Sequence, residues 1–335
     1  MSPELTLIWA GILGFAVFMY VLMDGFDLGI GILFPFAPGE AERDQMMDSV
    51  APVWDGNETW LVLGGAGLLA AFPLAYGILL PALYLPLLLM LIALVFRGVA
   101  FEFRYKARTS RWIWNHAFFL GSVFATFAQG LVLGAFVHGF EVEGTRYTGG
   151  VFDWLSPFSL FCGLALIAGY GLLGACWLIL KTEGPVQDWA YRSAGILLLI
   201  VVAAVGAVSL WTPFLNPVIK ERWFSWPNLA YLSPVPLVTA ALTLALWRAI
   251  RKRNERQPFL MAMGLFLLAY AGLAISLWPN AVPPDITLWE AASPPETQRF
   301  LLVGVAVLIP ITLAYTAYSY YVFRGKVRPG EGYRH

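Results

Sequence analysis

Nine stretches of this chain are apolar for long enough to cross a lipid bilayer, a constraint that outweighs every other in the sequence. A hydrocarbon core ~30 Å thick takes about 20 helical residues to span. The runs extend from about Leu5 to Phe36, Trp54 to Tyr76, Gly77 to Phe103, Trp112 to Phe140, Pro157 to Leu180, Ser193 to Phe214, Ser233 to Ile250, Pro258 to Trp278 and Phe300 to Phe323. The residues are 59% hydrophobic and only 13% charged, against roughly 25% charged in soluble domains. No soluble core could hide that much apolar surface. The chain therefore reads as an all-α integral membrane protein. Its first run starts at Leu5 without a basic leader and far exceeds the roughly 7–15 residues of a signal-peptide core, so it reads as the first span.

Basic residues set the expected orientation. With the N-terminus outside, the inner loops and tail collect Arg43, Arg104, Lys106, Arg108, Arg111, Lys181, Arg192, Arg248, Arg251, Lys252, Arg253, Arg256, Arg324, Lys326, Arg328 and Arg334. The outer side keeps Arg146, Lys220, Arg222 and Arg299. That asymmetry predicts a periplasmic N-terminus and a cytoplasmic C-terminus, which an odd number of spans satisfies.

The connections carry few signals. Almost nothing separates the second and third runs, which predicts a tight hairpin. Glu40–Ser49 suits a short charged surface helix. Glu141–Ser156 and Pro279–Arg299 are long enough to fold over the outer surface, and the prolines of the second favour an extended cover over a helix. Tyr315, Tyr318, Tyr320 and Tyr321 suit an interfacial aromatic belt. Zero formal net charge argues against a nucleic-acid partner. Cys162 and Cys176 lie about 21 Å apart along one predicted helix, too far to bridge, and read as small buried residues.

The carboxylates are the anomaly. Asp24 and Asp27 lie in the first run, and Asp55 and Glu58 in the second. A charge at the centre of a spanning helix costs roughly 2.5–3.5 kcal/mol on insertion scales, so such residues are functional candidates by default. Asp24 lies about 28 Å of helical rise beyond Leu5, near the inner boundary. Asp27 follows one turn later on the same face, and Asp55 and Glu58 repeat that spacing. Arg97 lies about 30 Å beyond Gly77, at the same level. Gly25, Gly29, Gly31 and Gly56 permit close helix approach. Capping explains Asp55 by itself, since it falls in a first turn after Pro52, and Arg97 by itself could snorkel. Four acids and one cation gathered at one depth suit a proton path better, because burial and mutual charge spread their pKa values.

The histidines test a different idea. His116 and His138 bracket one helix about 33 Å apart and cannot share a haem; His335 is terminal, and a haem held by a single histidine is the one haem site the sequence leaves open. No CxxCH motif and no zinc or copper spacing occurs, and neither does a nucleophile–base pair or a phosphate loop.

MDGFDLGIGILFPF from Met23, APVWDGNETWL from Ala51, FRGVAFEFR from Phe96 and the late SLWPN with its following prolines resemble subunit II of the cytochrome bd-type quinol oxidases. The similarity runs through nearly the whole chain. KTEG at Lys181–Gly184 and the tail YYVFRGKV are most similar to the cyanide-insensitive branch. The resemblance implies a heterodimer with a haem-bearing subunit I, in some cases with a small single-helix subunit, in a bacterial inner membrane. Subunit I would carry haem b and haem d, oxidise quinol and reduce O2 to water with cytoplasmic protons; some members hold a structural quinone in subunit II. It implies that Asp55 lies on the proton-entry route, with Asp24, Asp27 and Glu58 along it and Arg97, Trp54 and Asn57 in support. The fold implied is two four-helix bundles, residues 1–140 and 157–280, plus a peripheral helix at 300–323. Two rival readings are a self-sufficient proton-coupled transporter, which predicts an internal repeat with helices broken at midplane, and an assembly partner whose acids merely cap helices.

Overall fold

The structure is a computed structural model and describes residues 3–328. Long helices dominate it, as the run lengths require: α1 (Pro3–Leu33), α3 (Trp54–Ala71), α4 (Pro73–Lys106), α5 (Arg111–His138), α6 (Pro157–Lys181), α7 (Pro185–Leu215), α10 (Pro234–Arg251), α11 (Gln257–Leu277) and α13 (Pro295–Val322). Short helices fill the connections: α2 (Glu40–Asp48), α8 (Pro217–Phe224), α9 (Asn228–Leu232) and α12 (Leu288–Ala291).

Among the described residues, eight helices are long and apolar enough to cross a membrane. The exception among the nine expected is α3. Its 18 residues begin WDGNET, so the polar motif takes up a third of a helix only about 27 Å long. The boundary between the second and third runs also moves. Phe72 leaves the helical region, and Pro73 occupies the first turn of α4, where its missing N–H costs nothing. The break therefore falls ahead of Tyr76 and Gly77.

Four helices form the centre. From Asp24 to Leu33 every residue of α1 is buried, because α6, α3 and α5 surround it. The approach of α6 is backbone to backbone. A Cβ built on Gly29 would lie 1.9 Å from the Tyr170 carbonyl oxygen, and one on Gly174 would lie 2.5 Å from the Gly29 carbonyl carbon. Farther along, Gly130 meets the Cys162–Gly163 backbone and Gly134 meets Ser159 in the same way. Small residues substitute here for a hydrophobic driving force that lipid cannot supply. Aromatic side chains fill the remaining space, with Phe26 stacked on Trp177 at 4.2 Å between centroids. Gly56, by contrast, has only an ordinary contact with Tyr315.

Two covers differ from expectation. Residues 279–299 fold as a hairpin, Asn280–Val282 against Ile286–Thr287, followed by α12. A capping box between Thr287 and Glu290 starts that single helical turn despite the flanking prolines. Hydrogen bonds from Ser293 N to Ala71 O, Phe140 N to Pro283 O and Trp9 Nε1 to Gln298 O tie this cover to the bundle. The expected surface helix α2 exists, but its last turn is buried. Buried Arg104 reaches Asp44 at 2.7 Å, Glu40 at 3.4 Å and Asn115 Oδ1 at 2.6 Å. Arg111 also pairs with Asp44, and the Tyr105 hydroxyl donates to Asp48. The α2 charges thus bolt it to α4 and α5.

At the same end, the tail after α13 straps back across the bundle. Lys181 Nζ donates to the carbonyls of Phe323 and Gly325, Val327 N donates to Lys181 O, and Gln45 Nε2 donates to Val327 O. Lys326 pairs with Glu255 at 2.9 Å. That hydrogen-bonded ion pair, with Gln187 also donating, holds the Glu255 carboxyl below the usual carboxylate range. Gly184, at φ +71°, makes the turn between α6 and α7 that a side chain would strain.

Candidate functional site

The C-terminal third of α1 sets the site. Asp24 and Asp27 are fully buried, one turn apart. Arg97 projects from α4, also fully buried, and its two terminal nitrogens serve different acids. Nη1 lies 2.5 Å from Asp24 Oδ1 and Nη2 lies 3.1 Å from Glu58 Oε2. The fork therefore bridges α1 to α3 instead of clamping one carboxylate. Glu58 keeps a quarter of its side chain exposed and stands at the edge of the cluster.

Asp27 has a different partner. Asn57 Nδ2 donates to Asp27 Oδ2 at 2.7 Å, and Asn57 Oδ1 accepts from the Tyr320 hydroxyl at 2.9 Å. Trp54 stacks face to face on Phe101, with centroids 4.8 Å apart and planes within 6°, and the Arg97 guanidinium lies 5.8 Å from its ring. This indole packs the guanidinium's open side.

One residue expected in the cluster stands outside it. Asp55 occupies the first turn of α3, as read, but its side chain is exposed. The Cα spacing of one turn places it on the same side of α3 as Glu58, so it can lead to the cluster without joining it. The structure thus brings together Asp24, Asp27, Glu58, Arg97, Asn57 and Trp54, and leaves Asp55 at the surface.

Sequence reading missed four polar participants. Tyr20 lies one turn from Asp24 on α1; its hydroxyl accepts from Gln129 Nε2 at 2.9 Å, and Gln129 Oε1 accepts from the Tyr170 hydroxyl at 2.8 Å. This chain extends the polar zone toward the middle of the bundle. Gln129 had a visible signal, because Ser122, Thr126 and Gln129 recur at i, i+4 and i+7 in the otherwise apolar middle of α5. Tyr320 had none, since it sits in a cluster of tyrosines that suits a belt. Only Tyr315, Tyr318 and Tyr321 are exposed as a belt requires.

Several buried atoms of the cluster lack a protein partner among the described residues: Asp24 Oδ2, Asp27 Oδ1, Arg97 Nε, Ser122 Oγ and Thr126 Oγ1. Buried polar atoms seldom go unpaired, and ordered water is the usual partner inside a protein. Two carboxylates on one guanidinium, with a third beside them on Asn57 and spare acceptor atoms, make an arrangement suited to taking up and passing on protons.

Haem ligation is a different matter. His116 and His138 are both exposed at opposite ends of α5, and no group of three metal-binding side chains occurs among the described residues. His335 lies outside the described residues. The two histidines cannot together ligate one haem.

A family model described as cytochrome bd terminal oxidase subunit II matches residues 5–323. The chain belongs to that family. As a subunit II, it is a multi-pass membrane component of a haem-dependent oxidoreductase. It is 27% identical to the cytochrome bd-I ubiquinol oxidase subunit 2 of Escherichia coli K12, over 96% of this chain and 95% of that protein. Against the cytochrome bd ubiquinol oxidase subunit 2 of Bacillus subtilis the identity is 28%, over 93% of this chain and 94% of that one. Its fold resembles a chain from the structure of bd oxidase from Geobacillus thermodenitrificans, with TM-score 0.77 and 18% identity, covering 96% of this chain and 98% of that one.

Proposed function

We propose that this chain is the non-haem subunit of a bacterial inner-membrane quinol oxidase. It pairs with a haem-bearing subunit I that oxidises quinol and reduces O2 to water, and supplies that partner with protons from the cytoplasm. The buried Asp24–Arg97–Glu58 bridge beside the Asp27–Asn57 pair is the observation that carries this reading. The N-out orientation, two four-helix bundles and a peripheral α13 belong to the same reading. So does the face of α13, where Phe300, Val303, Val307 and Ile311 are exposed and only Gln298 is buried, as suits contact with lipid or a partner subunit.

In this scheme Asp55 collects protons at the surface and Glu58 stands one turn farther in. Arg97 stays cationic throughout and holds Glu58 and Asp24 at fixed positions. Water at each unpartnered oxygen, Asp24 Oδ2 and Asp27 Oδ1, hands a proton to that oxygen, and the same oxygen later releases it to the next water, so one O–H bond breaks for each one formed. When bound in subunit I, haem would supply the oxygen chemistry; the residues here only deliver protons.

Replacing Asp55 with Asn keeps size and removes the exchangeable proton. In the purified two-subunit complex, quinol-driven O2 consumption is expected to fall severalfold while the visible haem spectrum stays intact. Full turnover in that variant would refute Asp55 as the collector. Loss of the haem spectrum would instead indicate an assembly role.

A further inference from the structure

On the α13 side, Asn57, which donates to Asp27, stands in the wall of one cavity, and Tyr320, which donates to Asn57, stands in the walls of two. A cavity of about 10 Å³ lies between α3 and α13, lined by Gly56, Asn57, Tyr315, Thr316, Ser319 and Tyr320 among others; that is room for about one water. A second, of about 180 Å³, has Ser49, Lys181 and Arg324 in its wall and opens beneath the tail strap. The two share Pro52, Val53 and Tyr320. Tyr320 therefore stands where the cavities meet, and its hydroxyl is tied to the same amide that holds Asp27.

We propose that the Tyr320–Asn57 hydrogen bond is the gate of a second proton inlet, which reaches Asp27 from the α13 side independently of Asp55. This rests on the reading that Asp27 handles protons. Asn57 is not a carrier, because an amide is neither acid nor base near neutral pH. Water is the carrier. When the Tyr320 hydroxyl leaves Asn57 Oδ1, water from the larger cavity advances through the smaller one to the Asp27 carboxylate. A proton passes from cavity water to the water beside Asp27, and from there to Asp27, so one O–H bond breaks for each one formed. Nothing is oxidised, and Tyr320 returns to Asn57 unchanged. A tyrosine that only completed an aromatic belt would need neither the hydroxyl contact nor a place in the walls of two cavities.

The test uses the complete complex and compares Asp55→Asn with Asp55→Asn/Tyr320→Phe. Phenylalanine keeps the ring and removes the latch. Turnover of the double variant is expected to exceed that of Asp55→Asn by roughly fivefold, the change in open fraction expected from losing one neutral hydrogen bond, with the haem spectrum unchanged. A double variant no faster than Asp55→Asn overturns the inlet. Asp27→Asn is measured in parallel: full turnover there overturns the proton-handling reading itself, a different failure from an unresponsive Tyr320. If Tyr320→Phe fails to assemble, Tyr320→Leu removes the hydroxyl on another side chain and serves the same comparison.

Discussion

Gly29→Ala is expected to reduce the yield of assembled complex severely, although it adds one methyl group to the middle of a helix. In an unobstructed helix interior this exchange is favourable by about 1 kcal/mol. Here the new Cβ would lie 1.9 Å from the Tyr170 carbonyl oxygen and 2.9 Å from Gly174 N. Both obstacles are backbone, so no rotamer change relieves the clash, and α6 must retreat bodily. That retreat would open the Phe26–Trp177 stack and stretch the Tyr170–Gln129–Tyr20 chain. Overpacking usually costs ~1–3 kcal/mol, and a backbone obstacle places this case at or above the top of that range. Gly11→Ala on the same helix is the control. Nothing lies within 4 Å of its would-be Cβ, so stability should be unchanged or slightly higher. Thermal unfolding of the purified complexes decides the matter; equal melting temperatures for the two variants would contradict the close crossing of α1 and α6.

Arg97→Met is expected to have the second large effect. Methionine fills much of the arginine's volume, so the loss is mainly of charge. It strands Asp24, whose side chain is fully buried, and leaves Glu58 without its cation. Removing one partner of a buried ion pair typically costs about 3–5 kcal/mol, because the remaining charge stays desolvated. Adding Asp24→Asn should recover part of that loss, since it removes the stranded charge; the non-additivity of this cycle measures the pair. Arg97→Lys should rescue incompletely, because a single ammonium cannot reproduce a fork that reaches α1 and α3 together. The measurements are thermal stability and turnover of the assembled complex, with haem absorbance as the index of assembly. Wild-type values for Arg97→Met would remove Arg97 from the centre of the site.

Depth along each helix was legible in the sequence, because rise per residue is constant. Counting therefore placed Asp24, Asp27, Glu58 and Arg97 at one level, and the structure brings their side chains together. Azimuth was less legible. On a helix that is apolar all round, the pattern does not say which face meets which neighbour. Asp55 illustrates the limit: it shares the cluster's level, yet α3 turns it to the surface. Arg104 illustrates the converse. It stands two turns after Arg97 on one face of α4, a spacing open to view, but its partners on α2 become visible only when that helix folds beneath the bundle.

By itself, the sequence determined that this chain is a bundle of membrane helices with acids at one end and a family kinship. Run length and composition suffice for that, because the bilayer penalises unpaired polar groups whatever the topology. Only the tertiary structure decided that Arg97 bridges two helices, that Asn57 links Asp27 to Tyr320, and that Asp55 stands apart. Those facts depend on where glycines let backbones touch, and on which face each helix then turns inward.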